Sequence, residues 1–261
     1  MGTADMQGQL WGRGARHYAD IVEPMFQPAF EMVFTETQVI PNTTLLDVGC
    51  GPGLAAALAA TRGALVAGLD AATASIEIAR ERTPSGDFRV GDMERLPWAD
   101  STFDVVTSFN AFQFAANVLN ALREARRVAK PLARVAMLVW GPDEQCDTLT
   151  TMRSVFKLLP QQSPPTDGPP PLSMPGRIEQ LMVEAELDVK LVGEVECPFR
   201  FPDLDTAVRG LMSSGGAASV AQHVGAAQVQ RVLKEALTAF RNGAGEYVQR
   251  NTFRYVIAVR S

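Results

Sequence analysis

The central part of the chain alternates short apolar runs with segments whose apolar residues recur at helical spacing. Short runs with few charges suit strands that are buried on both faces of a sheet. We predict strands over residues 45–48, 64–69, 87–90, 103–108 and 135–140, separated in part by helices over residues 54–61, 73–82 and 118–128. Strands that alternate with helices in this way predict a doubly wound, mostly parallel α/β sheet.

The segment before this pattern is less regular. Residues 1–14 are polar and glycine-rich, and we expect them to be mobile until other parts of the protein hold them. Residues 15–40 have a helical pattern that Pro24 and Pro28 interrupt, which predicts two short helices. We interpret residues 1–40 as a helical cap that precedes the main domain, residues 41–261.

The segment after Gly141 also differs from the centre. Seven of the seventeen prolines lie between residues 160 and 175, which indicates a loop or lid. We then predict a helix over residues 177–186, a strand over 189–201, a helix from Asp203 that Gly215 and Gly216 end, an apolar helical stripe over 229–240, and a final strand over 253–259. We therefore expect inserted lid or cap segments at 141–175 and 203–243, and the stripe suits either core packing or the contact of a homodimer.

Composition narrows the function classes. A chain of 261 residues with 46% hydrophobic content is long enough for one large domain with insertions. A net charge of −5 with no block of Lys or Arg argues against a nucleic-acid partner and favours a small-molecule acceptor. No apolar run reaches the roughly 18 residues of a membrane span, so we expect no membrane partner and a cytoplasmic location. The three cysteines are far apart and indicate neither disulfides nor a metal site, and the rarity of lysine suggests a bacterial source.

The clearest chemical signal is a glycine turn that joins the first strand to the first helix. Its residues, Asp47-Val-Gly-Cys-Gly-Pro-Gly53, place glycine at three alternate positions, so a ligand could approach bare peptide N–H groups at a helix N-terminus. The spacing differs from the G-x-G-x-x-G of dinucleotide sites, because position 54 is Leu54. Asp47 would repel a pyrophosphate, whereas it suits a cationic ligand.

Two further acidic positions follow neighbouring strands. Asp70 ends the second strand, 23 residues after Asp47, where a carboxylate can accept hydrogen bonds from both ribose hydroxyls. Asp70 could instead cap the helix over residues 73–82. Asp92 could accept a hydrogen bond from the exocyclic amine of adenine while Met93 lies against the ring, although an ordinary turn would also explain it.

Together these motifs resemble the class I S-adenosylmethionine-dependent methyltransferases, in particular the small-molecule enzymes of ubiquinone and menaquinone biosynthesis. The resemblance covers about residues 41–140 and includes the glycine turn, Asp70, Gly91-Asp92-Met93 with Leu96-Pro97, and the strand that begins at Phe103. It implies a Rossmann-like, mostly parallel sheet of seven strands whose last strand is antiparallel, with helical cap insertions.

The resemblance also implies roles for individual residues. It places the methionine end of S-adenosylmethionine against Asp47, Gly49, Cys50, Gly51 and Gly53, the ribose at Asp70 beside Ala71, the adenine at Asp92 and Met93, and the amino-acid portion near Phe109 and Asn110. The chain departs from the family at Pro131-Leu132-Ala133, where relatives usually have Pro-Gly-Gly, and at Gln113, where many relatives have His. An amide cannot take a proton, so no catalytic base is assigned.

The sequence therefore predicts an enzyme that transfers a methyl group from S-adenosylmethionine to an O, N or C atom of a small molecule by in-line displacement. We expect the acceptor to lie under the cap, against Tyr18, Phe112, Gln113 and Phe114. Two alternatives stay open: a non-catalytic partner protein that binds S-adenosylmethionine, and an NAD-binding oxidoreductase, which the missing third glycine and Asp47 disfavour.

Overall fold

The computed structural model describes residues 3–160 and 171–261. The strands in these ranges are β1 (Thr44–Val48), β2 (Leu65–Asp70), β3 (Asp87–Val90), β4 (Phe103–Phe109), β5 (Ala129–Trp140), β6 (Leu187–Glu196), β7 (Phe199–Phe201), β8 (Tyr247–Gln249) and β9 (Thr252–Arg260). Seven of them form one sheet in the order β3-β2-β1-β4-β5-β9-β6, while β7 and β8 pair with each other. β9 is antiparallel to both of its neighbours and the other pairs of the large sheet are parallel.

Helices cover both faces of this sheet. They are α1 (Ala4–Gly12), α2 (Ala15–His17), α3 (Gln27–Glu36), α4 (Leu54–Thr61), α5 (Thr73–Arg82), α6 (Val118–Val128), α7 (Asp147–Phe156), α8 (Arg177–Glu184), α9 (Leu204–Met212), α10 (Gly215–Val224) and α11 (Ala226–Leu237). Adjacent strand residues point to opposite faces, so Leu45 packs in the core on the side of α3 and α4, and Leu46 packs in the core on the side of α6 and α8. In the described part of the chain, no helix is long and apolar enough to cross a bilayer.

The predicted centre of the fold is confirmed. Helices α4 and α5 and strand β3 have the predicted bounds, and the sheet has seven strands with an antiparallel last strand. Asn117 caps α6, since its side chain accepts hydrogen bonds from the backbone N–H groups of Leu119 (3.0 Å) and Asn120 (3.3 Å).

The N-terminal segment is more helical than we predicted. Residues 4–12 form helix α1, because they pack on the rest of the protein: Gly8 lies so close to Ala71 that an added Cβ would be 2.4 Å from the Ala71 carbonyl oxygen. Residues 15–36 form one nearly continuous helical run through a π-helical turn (Tyr18–Val22) and a 3-10 turn (Glu23–Phe26). Pro24 and Pro28 each lie in the first turn of a helical segment, where a missing N–H costs little.

Several C-terminal boundaries also differ from the predictions. β5 begins at Ala129, six residues early, and passes through an irregular pairing in which Leu132 has φ +65°. Pro198 lacks an N–H, and the predicted strand over 189–201 divides near it into β6 and β7. Gly215 and Gly216 begin α10 rather than end α9; a Cβ at Gly215 would be 2.6 Å from the Trp11 indole nitrogen. Residues 161–170 of the predicted lid lie outside the described residues.

Helix α7 lies inside the segment that we predicted as a lid. Half of its buried face is polar, Thr148 and Thr151, which breaks the apolar periodicity. Gln249 pairs with both hydroxyls, at 3.0 Å and 2.6 Å, so this polar face can be buried without a large cost.

Two glycines allow a matched test of the packing at the glycine turn. Gly53 and Gly176 are both helix N-caps in the left-handed region, at φ +83° and +82°. A Cβ at Gly53 would lie 2.7 Å from the Cβ of Ala79, whereas one at Gly176 would meet no atom of the described residues within 4 Å. We expect Gly176→Ala to cost about 1 kcal/mol through backbone strain alone. Gly53→Ala should cost about 1–3 kcal/mol more, because α5 must move. Urea denaturation measures both, and equal losses would contradict the packing argument.

Candidate active site

A cavity of about 370 Å³ lies at the carboxyl ends of the parallel strands, where open α/β sheets bind ligands. The glycine turn after β1, the end of β2 and the loop after β4 form its floor, and α1, α7, α9 and α10 contribute to its other walls. The site therefore combines the predicted sheet edge with helices from both ends of the chain.

The glycine turn is shaped by its neighbours. Gly49 has φ +76°, and a Cβ there would be 2.1 Å from the Cβ of Ala111, so the turn and the loop after β4 pack directly on each other. Gly51 has φ +52°, and a Cβ there would meet nothing within 4 Å. The open side of the turn at Gly51 is the side that lines the cavity.

The peptide N–H groups of this turn are not bare, which corrects our expectation. Gly49 and Cys50 both donate to the Leu69 carbonyl, and Gly53 donates to the carbonyl of Cys50. The two remaining groups of the turn meet carboxylates: Gly51 N–H donates to Asp70 Oδ2 (2.9 Å) and Leu54 N–H donates to Glu23 Oε1 (3.0 Å). A phosphate would find these donors already occupied, so the turn is not built as an anion site.

Three carboxylates surround the turn. Asp70 accepts hydrogen bonds from Gly51 and also from Ala72 N–H (2.8 Å), and burial raises its pKa. Glu23 pairs with Arg82, and burial likewise raises its pKa. Asp47 lies beneath the turn, 1% exposed, with one hydrogen bond from Thr107 Oγ1 (2.9 Å). Burial raises the pKa of Asp47 to about 7. Glu23 is compensated by Arg82 and Asp47 holds a proton up to about pH 7, so Asp70, which lines the cavity, is the carboxylate of the three that favours a cationic ligand.

Most of the predicted site residues line the cavity, and four do not. Those that line it are Tyr18, Gly49, Gly51, Asp70, Ala71, Asp92, Met93, Phe109, Asn110, Gln113 and Phe114. Asp47, Cys50 and Gly53 lie behind the turn, where Cys50 and Gly53 pack toward the core and α5. Phe112 is 1% exposed in the core under α6, because a one-turn 3-10 helix (Phe112–Phe114) directs it away from Gln113 and Phe114. Phe112 does not line the cavity, so our placement of it against the acceptor was wrong.

Sequence reasoning missed a second set of lining residues. It comprises mainly Gln7 from the N-terminal segment, Val22 and Phe26 from the helical run, Trp140 and Phe199 from strand ends, Thr148, Leu149, Met152 and Phe156 from α7, and Leu211 and Ser214 near α9. The spacing of Leu149, Met152 and Phe156 was a signal for α7 that could have identified part of this set.

Two side-chain amides in the cavity have buried polar atoms without a partner among the residues that the structure describes. Asn110 has φ +53°, held by its N–H to the Leu138 carbonyl (2.8 Å), and both polar atoms of its side chain are buried without a hydrogen bond to any described residue. The Oε1 atom of Gln113 is buried and unpaired in the same way. Unpaired buried polar groups in a cavity point to a ligand that supplies the missing partners.

The raised pKa of Asp47 leads to a pH prediction. The folded protein holds a proton on Asp47 up to about pH 7, whereas the unfolded chain releases it near the ordinary value, so this group lowers the free energy of unfolding as pH rises from 5 to 7. Asp47→Asn cannot titrate and should gain stability relative to the parent protein across this range, by up to about 1.4 kcal/mol per pH unit. Urea denaturation at pH 5, 6 and 7 measures the difference.

Asp104→Asn is the control for this prediction. Burial raises the pKa of Asp104, but hydrogen bonds from Lys130 and Thr44 bring it below the ordinary value, so this carboxylate is ionised in both states above pH 5. The difference in the free energy of unfolding between Asp104→Asn and the parent protein should be constant between pH 5 and 7. A constant difference for Asp47→Asn as well would contradict the raised pKa.

Comparisons with known proteins agree with this site. A model of the methyltransferase domain matches residues 46–137. The chain is 30% identical over 152 residues to ubiquinone biosynthesis O-methyltransferase of Hahella chejuensis, covering 53% of this chain and 64% of the relative. It is 34% identical to malonyl-[acyl-carrier protein] O-methyltransferase of Erwinia pyrifoliae, covering 48% and 47%. The first curated relatives are matched over 27% to 64% of their length.

Solved structures show the same fold over nearly the whole chain. A SAM dependent methyltransferase from Aquifex aeolicus has a TM-score of 0.55 at 16% identity, covering 95% of this chain and 98% of that one. The fold, the glycine turn with its carboxylates and the sequence match to residues 46–137 all agree. Residues 46–137 therefore match the methyltransferase domain in sequence, and the fold of the chain is that of the matched structures.

Proposed function

We propose that the protein binds S-adenosylmethionine in the cavity and transfers its methyl group to an O, N or C atom of a small-molecule acceptor. The products are the methylated acceptor, S-adenosylhomocysteine and, where the acceptor loses a hydrogen, a proton. The observation that carries the proposal is a glycine turn whose N–H groups are occupied and whose surroundings are carboxylates, next to an apolar space that can hold an acceptor. We further propose a cytoplasmic enzyme with no nucleic-acid or membrane partner.

The residues around the turn fit this methyl donor. Asp70 would accept from the ribose hydroxyls beside Ala71, Asp92 and Met93 would hold the adenine, and Asn110 offers an unpaired amide to the methionine portion. Asp70 and Asp92 already accept backbone hydrogen bonds that fix their orientation. When bound, the donor supplies an electrophilic methyl group on a cationic sulfur, which carboxylates and aromatic faces stabilise.

The helices outside the sheet would close the site. Trp11 packs edge-on against Tyr18 (5.6 Å between ring centroids) and Phe114 (5.5 Å), which joins the N-terminal segment to the loop after β4. Residues 1–40 and 203–243 would thus form a cap that excludes water, together with α7 from the segment 141–175. In a dry cavity, holding the acceptor in line with the methyl group can supply much of the rate.

The names of the matched relatives support a small-molecule or carrier-bound acceptor and O-methylation in at least some cases. An NAD-binding oxidoreductase is disfavoured, because a pyrophosphate would meet occupied N–H groups and the carboxylates of Asp70 and Glu23. Calorimetry with S-adenosylmethionine, S-adenosylhomocysteine and NAD tests the cofactor, and mass spectrometry of acceptor panels tests transfer. Binding of NAD alone would overturn the proposal; binding of S-adenosylmethionine with no methylation of any acceptor would favour a non-catalytic partner protein.

Asp70 gives the first quantitative test. A hydrogen bond to a charged group contributes roughly 1.5–3 kcal/mol, so Asp70→Ala should weaken S-adenosylmethionine binding about ten- to a hundredfold in calorimetry. Asp104 lies near the amino end of β4, whereas the cavity lies at the carboxyl ends of the strands. Asp104→Ala removes a carboxylate that pairs with Lys130 and should leave the affinity for S-adenosylmethionine unchanged. An unchanged dissociation constant in folded Asp70→Ala would limit Asp70 to capping the loop before α5.

Two glycines of α1, Gly8 and Gly12, allow a matched test of the proposed cap. A Cβ at Gly8 would lie 2.4 Å from the Ala71 carbonyl oxygen, whereas one at Gly12 would meet only the Ala72 Cβ at 3.9 Å. We expect Gly8→Ala to displace α1 and lower kcat/KM at least tenfold. Gly12→Ala should keep full activity, since alanine favours the helix. Equal activity of the two variants would show that α1 does not close the site.

A further inference from the structure

The cavity contains two chemically different regions, and the second one describes the acceptor. Around the glycine turn the lining includes the carboxylates of Asp70 and Asp92. The second region, which we call the apolar chamber, is lined by Val22, Phe26, Trp140, Leu149, Met152, Phe156, Phe199 and Leu211. None of these side chains carries a charge, so the chamber suits an apolar molecular body.

Three rings give the apolar chamber a fixed wall. Phe26 and Phe199 meet edge to face at 5.3 Å between centroids, and Trp140 lies 5.9 Å from Phe199 and 6.3 Å from Phe26. Phe26 and Phe199 are almost fully buried. Rings that brace one another in this way lose little freedom when a ligand binds, which favours a flat ring or an alkyl chain packed against them.

Gln113 lies on the loop that forms the floor beside the glycine turn. It follows Ala111, whose Cβ fills the space above Gly49, and the short helix Phe112–Phe114 fixes its position. Its Oε1 atom is buried and accepts no hydrogen bond from any residue that the structure describes. A ligand that donates a hydrogen bond to this oxygen recovers the free energy lost when it left water.

We infer that the acceptor in the proposed methyl transfer carries an uncharged O–H or N–H group on an apolar body, and that this group donates to Gln113 Oε1. The inference rests on the proposed function. A carboxylate has no hydrogen to donate and would face the amide oxygen, an ammonium ion would bring a charge into the uncharged apolar chamber, and a hydrocarbon would leave Oε1 unpaired. During transfer the new bond to carbon forms as the C–S bond breaks and sulfur keeps the electron pair; the methylated acceptor then loses its proton to bulk water when the cavity opens for product release.

Binding of three probes with one alkyl chain tests the inference without requiring turnover. The probes are 4-hexylphenol, 4-hexylbenzoate and hexylbenzene, titrated by calorimetry into the protein saturated with S-adenosylhomocysteine. We expect the phenol to bind at least tenfold more tightly than either of the others. Equal or tighter binding of the benzoate or of hexylbenzene, or no binding of the phenol, would overturn the inference. Failure of S-adenosylhomocysteine to bind would instead overturn the proposed function.

A variant of Gln113 assigns the preference to its side chain. Gln113→Met keeps the length of the side chain and removes the amide, so it should lose the preference for the phenol while binding hexylbenzene as tightly as the parent. Gln228→Met, at an exposed position of α11, is the control and should keep the preference. An unchanged preference in folded Gln113→Met would show that another group recognises the acceptor and would overturn the role of Gln113.

Discussion

The buried carboxylate of Glu23 ties the two halves of the site together. It accepts the first N–H of α4 from Leu54 and pairs with Arg82 at the end of α5, and Arg82 in turn donates to the carbonyls of Pro52 (3.1 Å) and Ala19 (3.0 Å). A buried charge that loses its partner is strongly destabilising, so the helical run, the glycine turn and α5 are held in one arrangement. The floor and the N-terminal wall of the cavity depend on this one set of contacts.

The division of roles along the chain follows from that arrangement. The sheet edge supplies the glycine turn, Asp70 and Asp92, which lie at or just after the ends of β1, β2 and β3, whereas Glu23 belongs to the helical run. The helices from both ends of the chain add Trp11, Tyr18, Phe26 and Phe156 to the aromatic lining, and strand ends and the loop after β4 add Phe109, Phe114, Trp140 and Phe199. In the proposed reaction, the features at the sheet edge concern the methyl donor, whereas much of the lining left for the acceptor lies outside the segment matched by the family model, residues 46–137.

Sequence alone predicted the parts that local rules determine. The strands and helices between residues 44 and 140 follow from apolar runs and caps. The three aspartates that the sequence singled out also lie at the site: Asp70 and Asp92 line the cavity, and Asp47 lies just beneath the glycine turn. The role of Glu23 could not be predicted from the sequence, because its partners, Leu54 and Arg82, are 31 and 59 residues away and no local motif includes it. Phe112 was misplaced because the direction of its side chain depends on a single 3-10 turn, and α1 was missed because tertiary contacts at Gly8 stabilise it.

The occupied N–H groups of the glycine turn have a consequence for the end of the proposed methyl-transfer reaction. If the turn attracts its ligand through carboxylates rather than through peptide donors, its affinity depends on the ligand's positive charge. Methyl transfer turns a sulfonium into a neutral thioether, so the attraction falls at the moment when the product forms. The same charges that capture the donor would then help the protein to let the spent molecule go, and limit inhibition by product.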